Sequence, residues 1–192
     1  MTEDEAVETF YSEERWQNWL DRVADEELDP ENESSARLLL NLQDDAAIAV
    51  AKILAAFEEG RIDEERAVDE LQTVSDIVLA ETPFDDEETA MLIDGVQTSL
   101  VPVFYAAEEY VVGGAADGDV TDFVHAAAEA ETDEDFDAAL GYVVQAGTRI
   151  LDGETLDIGV VEELEYGLVS EGVNGPDALQ TAIQDTEVVE GD

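Results

Sequence analysis

Apolar residues recur along this chain at intervals of three and four, and no stretch alternates convincingly at intervals of two. That periodicity belongs to helices with one face turned inward. Trp16, Trp19, Leu20 and Val23 stand at i, i+3, i+4 and i+7 behind Ser12, a residue suited to closing a first helical turn. The pattern predicts a helix from Ser12 to about Ala24, with Asp29-Pro30 breaking the chain after it. A long helix follows from about Asn32 to Glu59, carrying Leu39, Leu42, Ala46, Val50, Ile53 and Phe57 on one stripe and stopped by Gly60. Asp63 caps a third, to about Glu81, that turns Val68, Leu71, Val74 and Val78 inward. A fourth is capped near Asp86 and ends at Gly113-Gly114. Pro102 lies inside it, which predicts a bend: a curve that wraps the core, or a hinge or cleft.

Gly113 to Gly118 reads as a linker, and it marks a lobe boundary if the chain divides in two. Beyond it come a helix from Thr121 to about Glu131, one capped by Thr132 and ended by Gly153, and one from about Thr155 to Glu171. A last short helix starts with Pro176 at its first position and fades near Asp185. The expectation is an all-α fold, a bundle of seven to eight helices in one domain over residues 10–185. Residues 1–9 read as a disordered acidic tail, and 186–192 as a second disordered tail.

Charge changes the picture. The chain has 52 acidic residues against seven basic ones, of which only Lys52 is a lysine, for a formal charge of −45 over 192 residues. Disorder does not follow, because 45% of the residues are apolar and fall at helical spacing. A decoy for a basic partner would gather its acids on one face, whereas here they occur in nearly every segment. Adaptation to concentrated salt fits best: at ~1 M the screening length is about 3 Å, so repulsion is muted and carboxylates keep the surface hydrated. Nucleic-acid binding is excluded as a class, since phosphate neutralisation needs clustered Lys and Arg. With no cysteine there is no disulfide, thiolate metal site or cysteine nucleophile. Neither a secretory signal nor a run of about 18 apolar residues is evident, so the expected location is the cytoplasm, away from membranes.

In so acidic a chain, segments without acid are informative. Ala47 to Phe57 and Ala138 to Leu151 contain none, and Met91 to Ala107 contains only Asp94. They should be core, or an interface with a subunit or partner. Leu140, Val143, Val144, Ile150 and Leu151 make one inward face, and Gly141, Ala146 and Gly147 are small enough to admit a close helix. The polar residues within or beside these runs (Asn41, Gln43, Lys52, Asp94, Gln97, Thr98, Gln145, Thr148, Arg149) need partners. Interhelical bonding is the economical account, for example Arg149 or Lys52 with Asp94. A polar pocket between helices is the other.

Candidate chemistry is sparse. Asp122, His125 and Glu129 share one helix face, the kind of carboxylate–histidine spacing that holds metal in bundles. A dinuclear centre needs that motif twice, and His125 is the chain's one histidine. These three are at most a minor candidate for a mononuclear site; no metal or other cofactor is assigned. Asp133-x-Asp135-x-Asp137 opens like a calcium loop, but Ala138 and Val144 replace its glycine and final glutamate. No phosphate loop, nucleophile elbow or supported serine–histidine pair occurs, so no catalytic residue is assigned and the chain reads as a non-enzyme. Phe10, Tyr11, Trp16 and Trp19 crowd four aromatics, including both tryptophans, into ten residues. A terminal helix could dock them on the bundle; alternatively Trp16 and Trp19 anchor a partner.

The segments Tyr11 to Leu20 (YSEERWQNWL), Ala36 to Asp45 (ARLLLNLQDD), Met91 to Leu100 (MLIDGVQTSL) and Leu140 to Ile150 (LGYVVQAGTRI) resemble a small family of uncharacterised archaeal proteins, carried mainly by haloarchaea and known only as a domain of unknown function. The resemblance spans nearly the whole chain between the tails. It implies a haloarchaeal cytoplasm and no particular activity. The reading is therefore a non-enzymatic adaptor or regulator acting through protein–protein contacts, with a protein partner or as a homodimer. Its expected contact residues are Trp16 and Trp19, then Tyr105 and Tyr110. The alternative is a small-ligand or metal-binding bundle.

The charge argument makes a testable statement about folding. Helical circular dichroism should be full in molar KCl and should fall below ~0.5 M, where the carboxylates begin to sense one another. A signal unchanged down to low salt would remove the basis for the salt-adaptation reading.

Overall fold

Each helix starts where a side-chain oxygen closes its first turn. Ser12, Asn32, Asp63, Asp86, Asp119, Asp135 and Asp157 each accept a hydrogen bond from an amide two or three residues on. Five of the seven are aspartates, and most are followed by further acids in the first turn, where the helix dipole favours negative charge. The helices are α1 Glu13–Asp25, α2 Glu33–Glu58, α3 Glu64–Val78, α4 Glu87–Gly113, α5 Val120–Thr132, α6 Phe136–Leu151 and α7 Ile158–Glu163. Residues 178–184 are helical as well. The structure is a computed structural model that describes residues 9–26, 28–29, 31–164, 169, 173, 175–176 and 178–184. No strand occurs among these, and the fold is an all-α bundle. The two expected tails lie outside the described residues, except for Thr9, which is exposed.

α4 is the hub, packed by α2, α3 and α6, while α5 pairs with α6. The larger core joins Leu42, Val50 and Ile53 of α2, Leu71, Val74 and Val78 of α3, and Ile93, Leu100 and Val103 of α4, with Trp16, Leu20 and Val23 of α1 closing one side. A second core lies between α5 and α6 around Val120, Val124, Val143 and Ile150. α6 serves both, giving Val144 and Leu151 to the first. The α4–α6 approach is close because Gly147 faces Ala106: a Cβ on Gly147 would lie 2.7 Å from the Ala106 Cβ. Gly175 sits more tightly still: a Cβ there would run into the Ser99 carbonyl oxygen.

Four of the nine polar residues of the acid-poor runs, Gln43, Gln97, Thr148 and Arg149, bond structurally. Gln43 Nε2 donates to Ser99 Oγ at 3.0 Å between α2 and α4, and Gln97 Nε2 donates to the carbonyls of Val78 and Ala80 at 2.7 and 2.9 Å. Thr148 Oγ1 donates to the Gln145 carbonyl and accepts from the Ala116 amide. The expected Arg149–Asp94 or Lys52–Asp94 pair does not form. Lys52 and Asp94 are exposed, and Arg149 instead donates to Glu154 at 2.9 Å. Glu154 also accepts from the Val120 amide, so one carboxylate ties the end of α6 to the start of α5.

Other expectations need correction. Thr132 ends α5 rather than capping α6; Glu134 takes a left-handed turn at φ 60°, and Asp135 provides the cap. Thr155 to Asp157 is not helical, because the Leu156 amide is bonded by Gln180 from the far end of the chain. The helix there starts at Ile158, and most of its expected C-terminal half lies outside the described residues. Leu140, expected in the core, is 39% exposed. Among the described residues, α4 alone is long and apolar enough to cross a membrane by length and composition. Here its inner face is core, but only 44% of that stretch is buried, so apolar surface remains outside.

The two glycines of different surroundings should respond oppositely to alanine. Gly95 has nothing within 4 Å of an added Cβ, so Gly95→Ala should gain about 1 kcal/mol of helix propensity. Gly147→Ala should lose about 1–3 kcal/mol by overpacking against Ala106. Urea unfolding in molar KCl measures both, and equal shifts would contradict this α4–α6 packing.

Candidate functional site

The aromatic N-terminal helix is held by a buried acid. Asp45, on the inward side of α2, is 7% exposed. It accepts both Arg15 Nε, at 2.8 Å, and a guanidinium NH2, and it accepts Trp19 Nε1 at 2.9 Å. Burial alone would raise the Asp45 carboxyl, but the hydrogen bonds from Arg15 and Trp19 and the Arg15 charge outweigh it and hold the pKa below the ordinary value. The bond to Asp45 in turn raises Arg15. Tyr11 is buried beside the same carboxylate. Burial first, then the negative charge of Asp45 and the hydroxyl's interaction with it, push its pKa up. Arg15 lies over the Tyr11 ring at 5.9 Å and Arg22 over the Trp19 ring at 4.8 Å.

This arrangement relocates the expected partner contacts. Trp16 is 4% exposed and belongs to the chain's own core. Trp19 is half-buried and committed to Asp45. Tyr110 is also half-buried; its hydroxyl donates to Glu58 at 2.9 Å, and burial followed by that bond pushes its pKa up to about 12. Of the four residues only Tyr105 is largely free, at 54% exposed.

Tyr105 stands beside an apolar groove between α4 and α6. The groove has a volume of about 270 Å³, with Thr98, Val101 and Pro102 on one wall, Phe136, Leu140 and Val143 on the other, and Asp137 as its one acid. The interior proline of α4 therefore lies on a cleft. Phe136, Leu140 and Tyr142 are exposed at 49%, 39% and 36%. From Ala138 to Leu151 the outward positions of α6 are Leu140, Gly141 and Tyr142, flanked by half-buried Ala138, Gln145 and Arg149. No carboxylate stands among them. The acid-free run that sequence could assign to core or interface is core on one side and bare apolar surface on the other.

The remaining concavities are less distinctive. A cleft of about 690 Å³ between α1 and the α3–α4 connection has Trp16, Leu20, Ile77 and Phe84 on its walls and six carboxylates around it. Those acids reflect the whole surface more than this place. Asp122, His125 and Glu129 are all exposed on the outer side of α5. Among the described residues no group of three or more histidine, aspartate or glutamate side chains is placed to hold a metal ion.

Residues 9–192 match the model of a family described as an uncharacterized protein conserved in archaea (DUF2150). No curated protein and no solved structure matches the chain.

The Asp45 latch has a pH signature. A carboxylate whose folded pKa is depressed contributes stability above its ordinary range and loses it as pH falls through the folded value. Tryptophan emission, which reports α1 alone, should therefore hold steady from neutral pH to ~4 and shift red below it. Asp45→Ala should be red-shifted already at neutral pH and lack that acid step. It should cost about 2 kcal/mol, at the low end for a buried pair because the Arg15 side chain is 56% exposed. An unchanged emission maximum would mean that apolar packing alone docks α1.

Proposed function

The chain belongs to this family of archaeal proteins, and we propose that it works there as a non-enzymatic adaptor or regulator, in a salt-rich cytoplasm, through protein–protein contact. The observation that carries the reading is the acid-free outer face of α6 with the adjoining groove. Acids hold about half of the exposed described positions, whereas α6 beyond Asp137 exposes only Leu140, Gly141 and Tyr142, beside exposed Phe136 and Tyr105, and so leaves an apolar face. Exposed aromatics around a small apolar cleft are the composition of a contact centre. In concentrated salt such a centre, rather than charge steering, would have to carry recognition.

The composition supports the salt-rich setting: 52 acids, one lysine and a charge of −45. The alternative, a small-ligand or metal-binding bundle using Asp122, His125 and Glu129, has only a helix spacing behind it.

Capture of the tagged chain's partners from a lysate of an archaeon holding ~2 M KCl tests the reading under screened conditions. A stoichiometric protein, recovered with wild type and reduced at least tenfold by Tyr105→Ala/Leu140→Glu, is the expected result. Recovery of the chain with stoichiometric metal that His125→Ala abolishes would transfer the proposal to the metal-binding bundle.

A further inference from the structure

We infer that the outer side of α2 is a docking surface for an acidic protein, a carboxylate-bearing segment laid along Arg37, Leu40, Asn41 and Lys52. This side shares no residue with the α4–α6 groove, and two observations converge on it.

The first is what α2 exposes. Between Glu33 and Glu58 its exposed positions are Ser34, Ala36, Arg37, Leu40, Asn41 and Lys52. Acids hold about half of the exposed positions among the described residues, yet none of these. Exclusion from the core does not account for that, because all of them face outward. Leu40 is 55% exposed and stands one turn from Arg37.

The second is where the cations go. The chain has seven basic residues against 52 acids. Arg15 is committed to Asp45, Arg61 to Glu59, Arg66 to Glu70 and Arg149 to Glu154, while Arg22 lies over the Trp19 ring. The two that remain are Arg37 and Lys52, and among the described residues neither has a carboxylate within ion-pair distance or an aromatic ring beneath it. Glu33 precedes Arg37 by one turn and Asp44 is half-buried on the same side, but neither pairs with it. At about 100° per residue Arg37, Asn41 and Lys52 fall within about 60° of one another, so one side of α2 presents both cations, about 22 Å apart along the axis.

Charge complementarity selects the occupant. Cations left uncovered in so acidic a chain, on a side cleared of exposed acid, suit a partner that brings carboxylates. Two cations this far apart exceed the reach of one small anion and match an acidic helix of about fifteen residues lying along α2. They are too few for a phosphate backbone, which is held by many neutralising contacts. A second copy joined by a two-fold axis would set α2 against α2, cation opposite cation. The acidic segment therefore belongs to another protein. Concentrated salt weakens exposed pairs, but a carboxylate gripped by the Arg37 fork beside a covered Leu40 is sheltered from that screening.

Lys52 is the chain's one lysine, so a carbodiimide, which joins an amine directly to a carboxylate, reports on this side wherever the link maps to Lys52. The tagged full chain is treated in a lysate of an archaeon holding ~2 M KCl, and the links are mapped by mass spectrometry. The expected product is a discrete adduct in which Lys52 Nζ forms an amide with an aspartate or glutamate of one other protein. Lys52→Arg should lose the adduct yet still capture that protein, because the positive charge stays. Arg37→Glu/Leu40→Glu, at exposed positions, should reduce the adduct roughly tenfold with unchanged helical dichroism. Tyr105→Ala/Leu140→Glu should leave it in place, which separates this side from the α4–α6 face. Absence of a Lys52 adduct with wild type, an adduct indifferent to Arg37→Glu/Leu40→Glu, or a link only to carboxylates of this chain or a second copy overturns the proposal.

Discussion

A carboxylate out of water must be paired or neutralised, and a chain with 52 of them has to arrange its whole fold around that requirement. The helices meet it by using acids where charge is locally favourable. Aspartates cap five of the seven helix starts, and glutamates fill first turns, so part of the charge is set against helix dipoles. Among the described residues one acid, Asp45, is buried, and it is there compensated by Arg15, one of only seven basic residues, and by an indole N–H. The rest of the surface is left acidic and hydrated.

The same requirement distinguishes two kinds of acid-free helix. In α2 the run from Ala47 to Phe57 is buried or half-buried at every position but Lys52, so exclusion from the core accounts for it. In α6 the inner positions are equally well explained, because Val143, Val144, Ala146 and Ile150 divide between two cores. The outer positions are not. Leu140, Gly141 and Tyr142 face outward with no fold-internal reason to avoid charge, and α4 adds Tyr105 and the wall beside Pro102. Acids are missing from exposed positions of α2 too, at Ser34, Ala36, Arg37, Leu40 and Asn41, but there Arg37 and Asn41 keep the surface polar, whereas on α6 Leu140 and Tyr142 leave it apolar.

Helices and their starts were legible in the sequence because both signals are local. Five of the seven starts fall within one residue of expectation and the other two lie three residues away, and Ser12, Asn32, Asp63 and Asp86 cap the helices assigned to them. What failed was long-range or depended on a turn. Thr132 and Asp135 are both fair caps, and the choice was made by a left-handed Glu134. Leu140 lies on the stripe of Val143 and Val144, but near the start of α6, where it lines an open groove with Val169 and Val101 and stays 39% exposed. Arg149 found acids three and five residues away before it could reach α4. The Asp45 latch was missed although a signal existed. An acid three residues after Leu42 and four before Ala49 sits on the inward stripe, and only a basic residue could make that tolerable.

That latch and the α6 face divide the electrostatics of the molecule in a way that bears on where it can work. Concentrated salt weakens exposed charge interactions of either sign, so the repulsion among surface acids fades while buried pairs are screened much less. The Arg15–Asp45 contact, with its carboxylate buried, is the kind that persists under such conditions, and it fixes the helix that carries both tryptophans. The apolar α4–α6 face needs no charge attraction and gains as like-charge repulsion is screened. In the salt-rich setting proposed for it, such a chain would owe its compact state to the solvent, and the acidity of its surface would follow from that setting.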